Sequence, residues 1–178
     1  ANRMTPYGAR RSEILGADAL ALAQRELTQW QGYAVTPLHS LPALAQAMGV
    51  ASVHYKDEGS RFGLGSFKAL GGAYAVARLL CRELGAQLGR TLTTQDLLTP
   101  ELRALCGGIT VTCATDGNHG RSVAWGAQLF GCQCVIYIHA TVSEGRKEAI
   151  AHRWCARQAT MTMPCARPIW MPSSTAVL

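Results

Sequence analysis

A chain of 178 residues can bury one ordinary core or two small subdomains, which excludes a large two-domain enzyme within this length. With 48% hydrophobic and 16% charged residues it is predicted to be globular, and no apolar run approaches the roughly 20 residues that span a bilayer. Half of the net charge of +6 comes from Arg153, Arg157 and Arg167, after the last acid at Glu148, so a basic stripe for nucleic acid is not expected.

Arg3, Arg10 and Arg11 are not followed by the apolar block of a secretory signal, so a soluble, cytoplasmic protein is expected. Seven cysteines in such a chain read as free thiols. Cys132 and Cys134 stand in the alternating run GCQCVIYIH, which suggests strand residues, and no second pair at zinc-site spacing accompanies them. No metal site is expected.

The first predicted element is a helix over residues 12–31, with Ser12 as a candidate cap. Pro37 and Pro42 then mark an extended connection into a short helix over residues 43–48, ended by Gly49. SVHYKDE alternates and should be a strand. A glycine-rich loop, GSRFGLG, leads into the helix SFKALGGAYAVARLLCRELGAQ, and another helix begins near Thr99-Pro100. ITVTCAT reads as a buried strand, DGNHG as a turn, RSVAWGAQLFG as a helix and CQCVIYIH as a strand. Strand, helix and strand at this spacing make a βαβ unit, hence an α/β fold with a parallel sheet and a right-handed crossover. Ligands are expected at the carboxyl ends of its strands.

Two segments carry chemistry. In KDEGSRFGLGSFKALGG, Lys68 is surrounded in sequence by Phe62, Leu64, Phe67, Ala69 and Leu70, a setting predicted to desolvate its amine partly and make it a Schiff-base nucleophile. The glycines allow close approach of backbone to a flat ring or phosphate. A helix-start lysine reaching water is the plainer alternative. In TCATDGNHGRSVAWGAQLFG, residues 116–120 lie between a buried strand and a helix start, where backbone N–H groups suit a carboxylate or phosphate. Asp116 alone could equally be a turn former.

GSFKALGG together with TDGNHG resembles the fold type II pyridoxal-phosphate enzymes, the family of threonine dehydratases and the tryptophan synthase β-chain. RFGLGSFKALGGAYA and ATDGNHGRSVAWGAQ are similar to its diaminopropionate ammonia-lyase branch, over roughly residues 12–150. The resemblance implies pyridoxal 5'-phosphate as cofactor and α,β-elimination of 2,3-diaminopropionate to pyruvate and ammonia. It implies that Lys68 forms the Schiff base, Phe67 packs by the pyridine ring and Asn118 hydrogen-bonds the ring's phenolic oxygen. Thr115, Gly117 and His119 would hold the substrate carboxylate, and Asp116 would be the proton-transfer base. A homodimer is implied for the full-length protein. A threonine or serine dehydratase, or a non-catalytic fragment, are the alternatives.

From Ala151 the resemblance stops. The segment 151–178 has no acid, holds three of the five methionines and shows neither helical nor strand period. It reads as translated out of frame: the shifted frame forces aspartate from Met161-Thr162 and from Trp170-Met171, and alanine from Met163-Pro164 and from Met171-Pro172. A poorly ordered tail and an incomplete large cofactor-binding domain are therefore expected, without the family's glycine-rich phosphate loop.

Overall fold

The computed structural model describes residues 8–115, 117–139, 141–151, 159–163 and 175–177. Asp116 lies outside them, as does most of the segment after residue 151. The predicted first helix is two: α1 (Ala9–Leu15) and α2 (Ala17–Leu27). Gly16 between them is extended, and a Cβ there would run into the Ser12 carbonyl. Ser12 is thus inside α1 and not its cap, which is Gly8.

Strand β1 (Leu38–Ser40), helix α3 (Pro42–Met48) and strand β2 (His54–Lys56) follow. Pro42 sits in the first turn of α3, where a missing N–H is harmless, and Gly49 ends it at φ 64°. The predicted connection around residue 38 is in fact a strand, paired antiparallel with β2 from Leu38–Lys56 to Ser40–His54. After a 3-10 turn at Arg61–Gly63 comes the long helix α4 (Lys68–Leu88). Helix α5 (Pro100–Cys106) is capped by Thr99, whose side chain accepts the Leu102 N–H at 3.4 Å.

Strand β3 (Thr110–Ala114), helix α6 (Asn118–Phe130) and strand β4 (Gln133–His139) are the predicted βαβ unit, β3 and β4 pairing in parallel from Thr110–Gln133 to Ala114–Tyr137. Helix α7 (Glu144–Ala151) follows, so Lys147 is helical. The described part of the segment after residue 151 adds β5 (Ala159–Met163) and β6 (Thr175–Val177) where the sequence shows no strand period. Both join by backbone pairing, which needs no side-chain alternation, and the four-stranded sheet runs β5-β4-β3-β6, parallel throughout.

Helix α4 buries Ala69, Ala73, Val76, Ala77, Leu80 and Leu84, while Lys68, Gly71, Ala75, Arg78 and Arg82 form its exposed stripe. Its buried face meets α6 closely enough that a Cβ on Gly126 would lie 2.8 Å from Ala73 Cα. Among the described cysteines, Cys81, Cys106, Cys113, Cys132 and Cys134 are free and buried. Burial pushes the Cys106 and Cys113 thiols up to about 11 and those of Cys81 and Cys132 up to about 12, which makes them poor nucleophiles. Cys134 lies in β4, whereas Cys132 precedes it. Among the described residues, no helix is long and apolar enough to cross a membrane.

Candidate active site

The glycine-rich loop is fastened before it reaches Lys68. Arg61, 6% exposed, donates from Nε to Glu58 Oε2 at 2.7 Å and from Nη2 to Glu58 Oε1 at 2.9 Å. Its Nη1 reaches the Ala34 carbonyl at 2.7 Å, its Nη2 reaches Thr36 Oγ1 at 3.0 Å, and the guanidinium lies 5.3 Å from the Tyr33 ring centre. The Thr36 hydroxyl donates to Glu58 Oε1 at 2.5 Å. Hydrogen bonding from Arg61, the largest influence, holds the Glu58 carboxyl down to about 2, against a smaller opposing effect of burial. The cluster ties residues 34–36 to residues 58–61.

Phe62, next in the chain, takes the left-handed conformation at φ 47°, which an L-residue adopts only when its surroundings hold it there. Its ring packs 4.8 Å from that of Trp125 on α6. The chain then enters α4 with Ser66 Oγ accepting the Lys68 N–H at 3.2 Å.

Lys68 opens α4 with its side chain exposed, its amine 4.8 Å from the centre of the Phe67 ring, which is itself 59% exposed. The expected partial desolvation is therefore not found in this chain. Leu64 and Ala69 are buried inward and Phe62 packs on Trp125, so the apolar neighbours leave the amine on the exposed stripe of α4. The other two lysines are engaged by oxygen. Lys56 Nζ donates to the Thr36 carbonyl at 2.5 Å, and Lys147 Nζ to Glu144 at 2.5 Å.

The second segment starts at the carboxyl end of β3. The Thr115 N–H donates to the Tyr137 carbonyl at 2.9 Å, extending the ladder by one residue. Its Oγ1 accepts the N–H groups of Gly117 at 3.4 Å and Gly120 at 3.3 Å, bending the chain into α6. Gly117 caps α6 in extended backbone with nothing within 4 Å of where a Cβ would stand. Asn118 is exposed and His119 half-buried in the first turn, and Asn118 Oδ1 accepts from Arg121 Nη1 at 3.4 Å.

The two segments meet through Ser122, one turn after Asn118. Its buried hydroxyl donates to the Lys68 carbonyl at 2.7 Å and accepts the Ala73 N–H at 3.0 Å. The contacts Lys68–Ser122 and Ala73–Gly126 run in the same order along α4 and α6, so the two helices begin at the same end of the packed pair. Lys68, Phe67, Thr115, Gly117, Asn118 and His119 thus belong to the starts of these two helices and the residues just before them. Sequence reasoning missed Glu58, Arg61, Arg121 and Ser122. A legible trace of the last was the small-residue spacing Gly120, Ser122, Gly126, which marks close helix packing.

The sequence profile of the family described as pyridoxal-phosphate dependent enzymes matches residues 29–152. The chain belongs to this family. As a member of it, the chain is 46% identical over 120 residues to the diaminopropionate ammonia-lyase of Salmonella typhimurium, covering 67% of this chain and 30% of that protein. It is 39% identical over 144 residues to the enzyme of the same name from Escherichia coli K12, covering 81% and 35%. The crystal structure of the Escherichia coli diaminopropionate ammonia lyase in apo form superposes with a TM-score of 0.68 at 37% identity, over 83% of this chain and 38% of that one. The same enzyme in complex with an aminoacrylate-PLP azomethine intermediate gives 0.68 at 36% identity, over 83% and 34%. The fold type II class expected from the sequence is that of these neighbours. The chain spans about a third of the length of the curated relatives it matches.

Proposed function

We propose that this chain is the N-terminal part of a pyridoxal-phosphate-dependent ammonia-lyase that converts 2,3-diaminopropionate to pyruvate and ammonia by α,β-elimination. The observation that carries the reading is the hydroxyl link between the starts of α4 and α6, which brings the lysine-bearing and asparagine-bearing turns to one end of the pair. The donor set suits pyridoxal phosphate: an exposed primary amine beside an uncovered aromatic ring, a carboxamide, and a helix start whose first glycine stands in open space.

When bound, pyridoxal phosphate supplies the electron sink for the charge that develops at Cα. Lys68 would hold its aldehyde carbon covalently and afterwards carry protons on the freed amine. Phe67 would pack by the pyridine ring. The Asn118 carboxamide has its oxygen turned to Arg121, which leaves the NH₂ group to donate to the phenolic oxygen. Thr115, Gly117 and His119 would receive the substrate carboxylate at the start of α6, where the helix itself supplies no partner to the first N–H groups and those of Gly117 and Gly120 turn to Thr115 Oγ1. Asp116 would move the substrate proton.

The setting we assign is cytoplasmic amino-acid catabolism by a soluble homodimer of the full-length protein; sedimentation of that protein as a monomer would remove the dimer. We also read residues 151–178 as translated out of frame. An uninterrupted frame in the DNA across codons 148–156 would sink that reading.

The test of the cofactor site is chemical. The chain is incubated with pyridoxal phosphate, reduced with borohydride and digested, and the adduct is expected on the peptide containing Lys68. Equal labelling of Lys56 or Lys147 would overturn the assignment.

A further inference from the structure

We infer that Ser122 is a positioning residue whose hydroxyl sets where α4 begins and hence the direction in which Lys68 leaves it. Its bearing on catalysis rests on the reading of Lys68 as the cofactor lysine. Ser122 is wholly buried, and its Oγ donates to the Lys68 carbonyl at 2.7 Å and accepts the Ala73 N–H at 3.0 Å. Those two groups lie a little more than one turn apart in the first two turns of α4, and the hydroxyl adds a bond to each from outside the helix. One hydroxyl therefore holds the carbonyl of Lys68 itself and an amide one turn further on.

The surroundings are shaped for that hydroxyl. A Cβ on Gly72 would stand 2.6 Å from Ser122 Oγ and 2.8 Å from Ser122 Cβ, so a larger residue at 72 would displace the serine. Packing alone would be met by alanine at 122, whose Cβ fills nearly the same space. What the hydroxyl adds is the pair of hydrogen bonds. Because Ser122 stands four residues after Asn118 on α6, the same contact couples the turn that bears the carboxamide to the turn that bears the amine. A shift at the start of α4 would be carried outward along the lysine side chain, and misplacement by about 1 Å can cost roughly 10²-fold in rate.

The test compares the unaltered chain with Ser122→Ala and with Ser122→Cys, which keeps the shape and weakens the hydrogen bonds. Three quantities are read: amide hydrogen exchange over residues 69–73, acylation of Lys68 relative to Lys56 and Lys147 without cofactor, and borohydride trapping of pyridoxal phosphate at subsaturating concentration. In Ser122→Ala, exchange at Ala73 should quicken by about tenfold, with the cysteine variant between. Lys68 acylation should change while Lys56 and Lys147 do not, and trapping at Lys68 should fall about tenfold. Exchange and Lys68 acylation equal to those of the unaltered chain in both variants would overturn the inference, whatever the trapping shows. Trapping absent from Lys68 in the unaltered chain, with exchange and acylation altered as expected in the variants, would instead remove the cofactor reading and leave Ser122 as the residue that sets the start of α4.

Discussion

Arg61 brings a full positive charge into a site that is 6% exposed, and the charge is tolerated because each arm of the guanidinium meets an oxygen. Its carboxylate partner makes the cluster sensitive to acid. Glu58 is held down to about 2 from an ordinary value of 4.5, mainly by hydrogen bonding from Arg61, so the folded state favours the ionised form. The stabilisation is thus complete above about pH 4.5 and is lost as pH falls through the folded-state value near 2. Glu58→Gln should cost roughly 1–3 kcal/mol near neutral pH, because it leaves a buried guanidinium beside a neutral partner. It should also flatten the pH dependence of the melting temperature between 4.5 and 2. Equal slopes for both proteins in calorimetry over that range would contradict this account. None of the cluster was legible beforehand, since Arg61 depends on Ala34, a neighbour only in the fold. Lys68 and Asn118 could be named as candidates because each lies in a motif of consecutive residues, GSFKALGG and TDGNHG, that carries the family resemblance.

Elements that satisfy themselves locally were foreseen best. Helix α4 and the β3–α6–β4 unit follow from periods carried within each segment, and Gly49 ends α3 because it alone adopts φ 64° without strain. Strand β1 was missed because its three exposed residues acquire strand character only by pairing with β2, across α3. The break at Gly16 was missed because glycine is tolerated within a helical pattern. What neither period nor propensity discloses is how close α4 and α6 approach. A Cβ on Gly126 would lie 2.8 Å from Ala73 Cα and 3.0 Å from its Cβ, with backbone unable to yield as a flexible side chain does. Gly126→Ala should therefore cost about 1–3 kcal/mol through overpacking, lowering the melting temperature by roughly 2–4 °C for each kcal/mol. Gly71→Ala, on the same pair but with nothing within 4 Å of the new Cβ, should hold or raise it. Similar melting temperatures for both variants would mean that the helices separate freely.

At the scale of the molecule, the amine of Lys68 and the ring of Phe67 are exposed, although the chemistry proposed for them works best away from water. The chain carries about a third of the length of its relatives, so the groups that would cover this end of α4 and α6 are to be sought in the remainder of a full-length protein. Holding the cofactor covalently and turning over substrate should then separate. The 178-residue chain is expected to trap pyridoxal phosphate at Lys68 under borohydride yet release no pyruvate from either enantiomer of 2,3-diaminopropionate, whereas a full-length protein with the frame restored after residue 150 should do both. In that full-length protein, Asp116→Asn keeps size and turn propensity while removing the base. Trapping should survive and turnover should fall by about 10²-fold or more. Pyruvate release by the 178-residue chain at the full-length rate would show that these residues suffice for the reaction. Unchanged turnover in Asp116→Asn on both enantiomers would remove Asp116 from proton transfer.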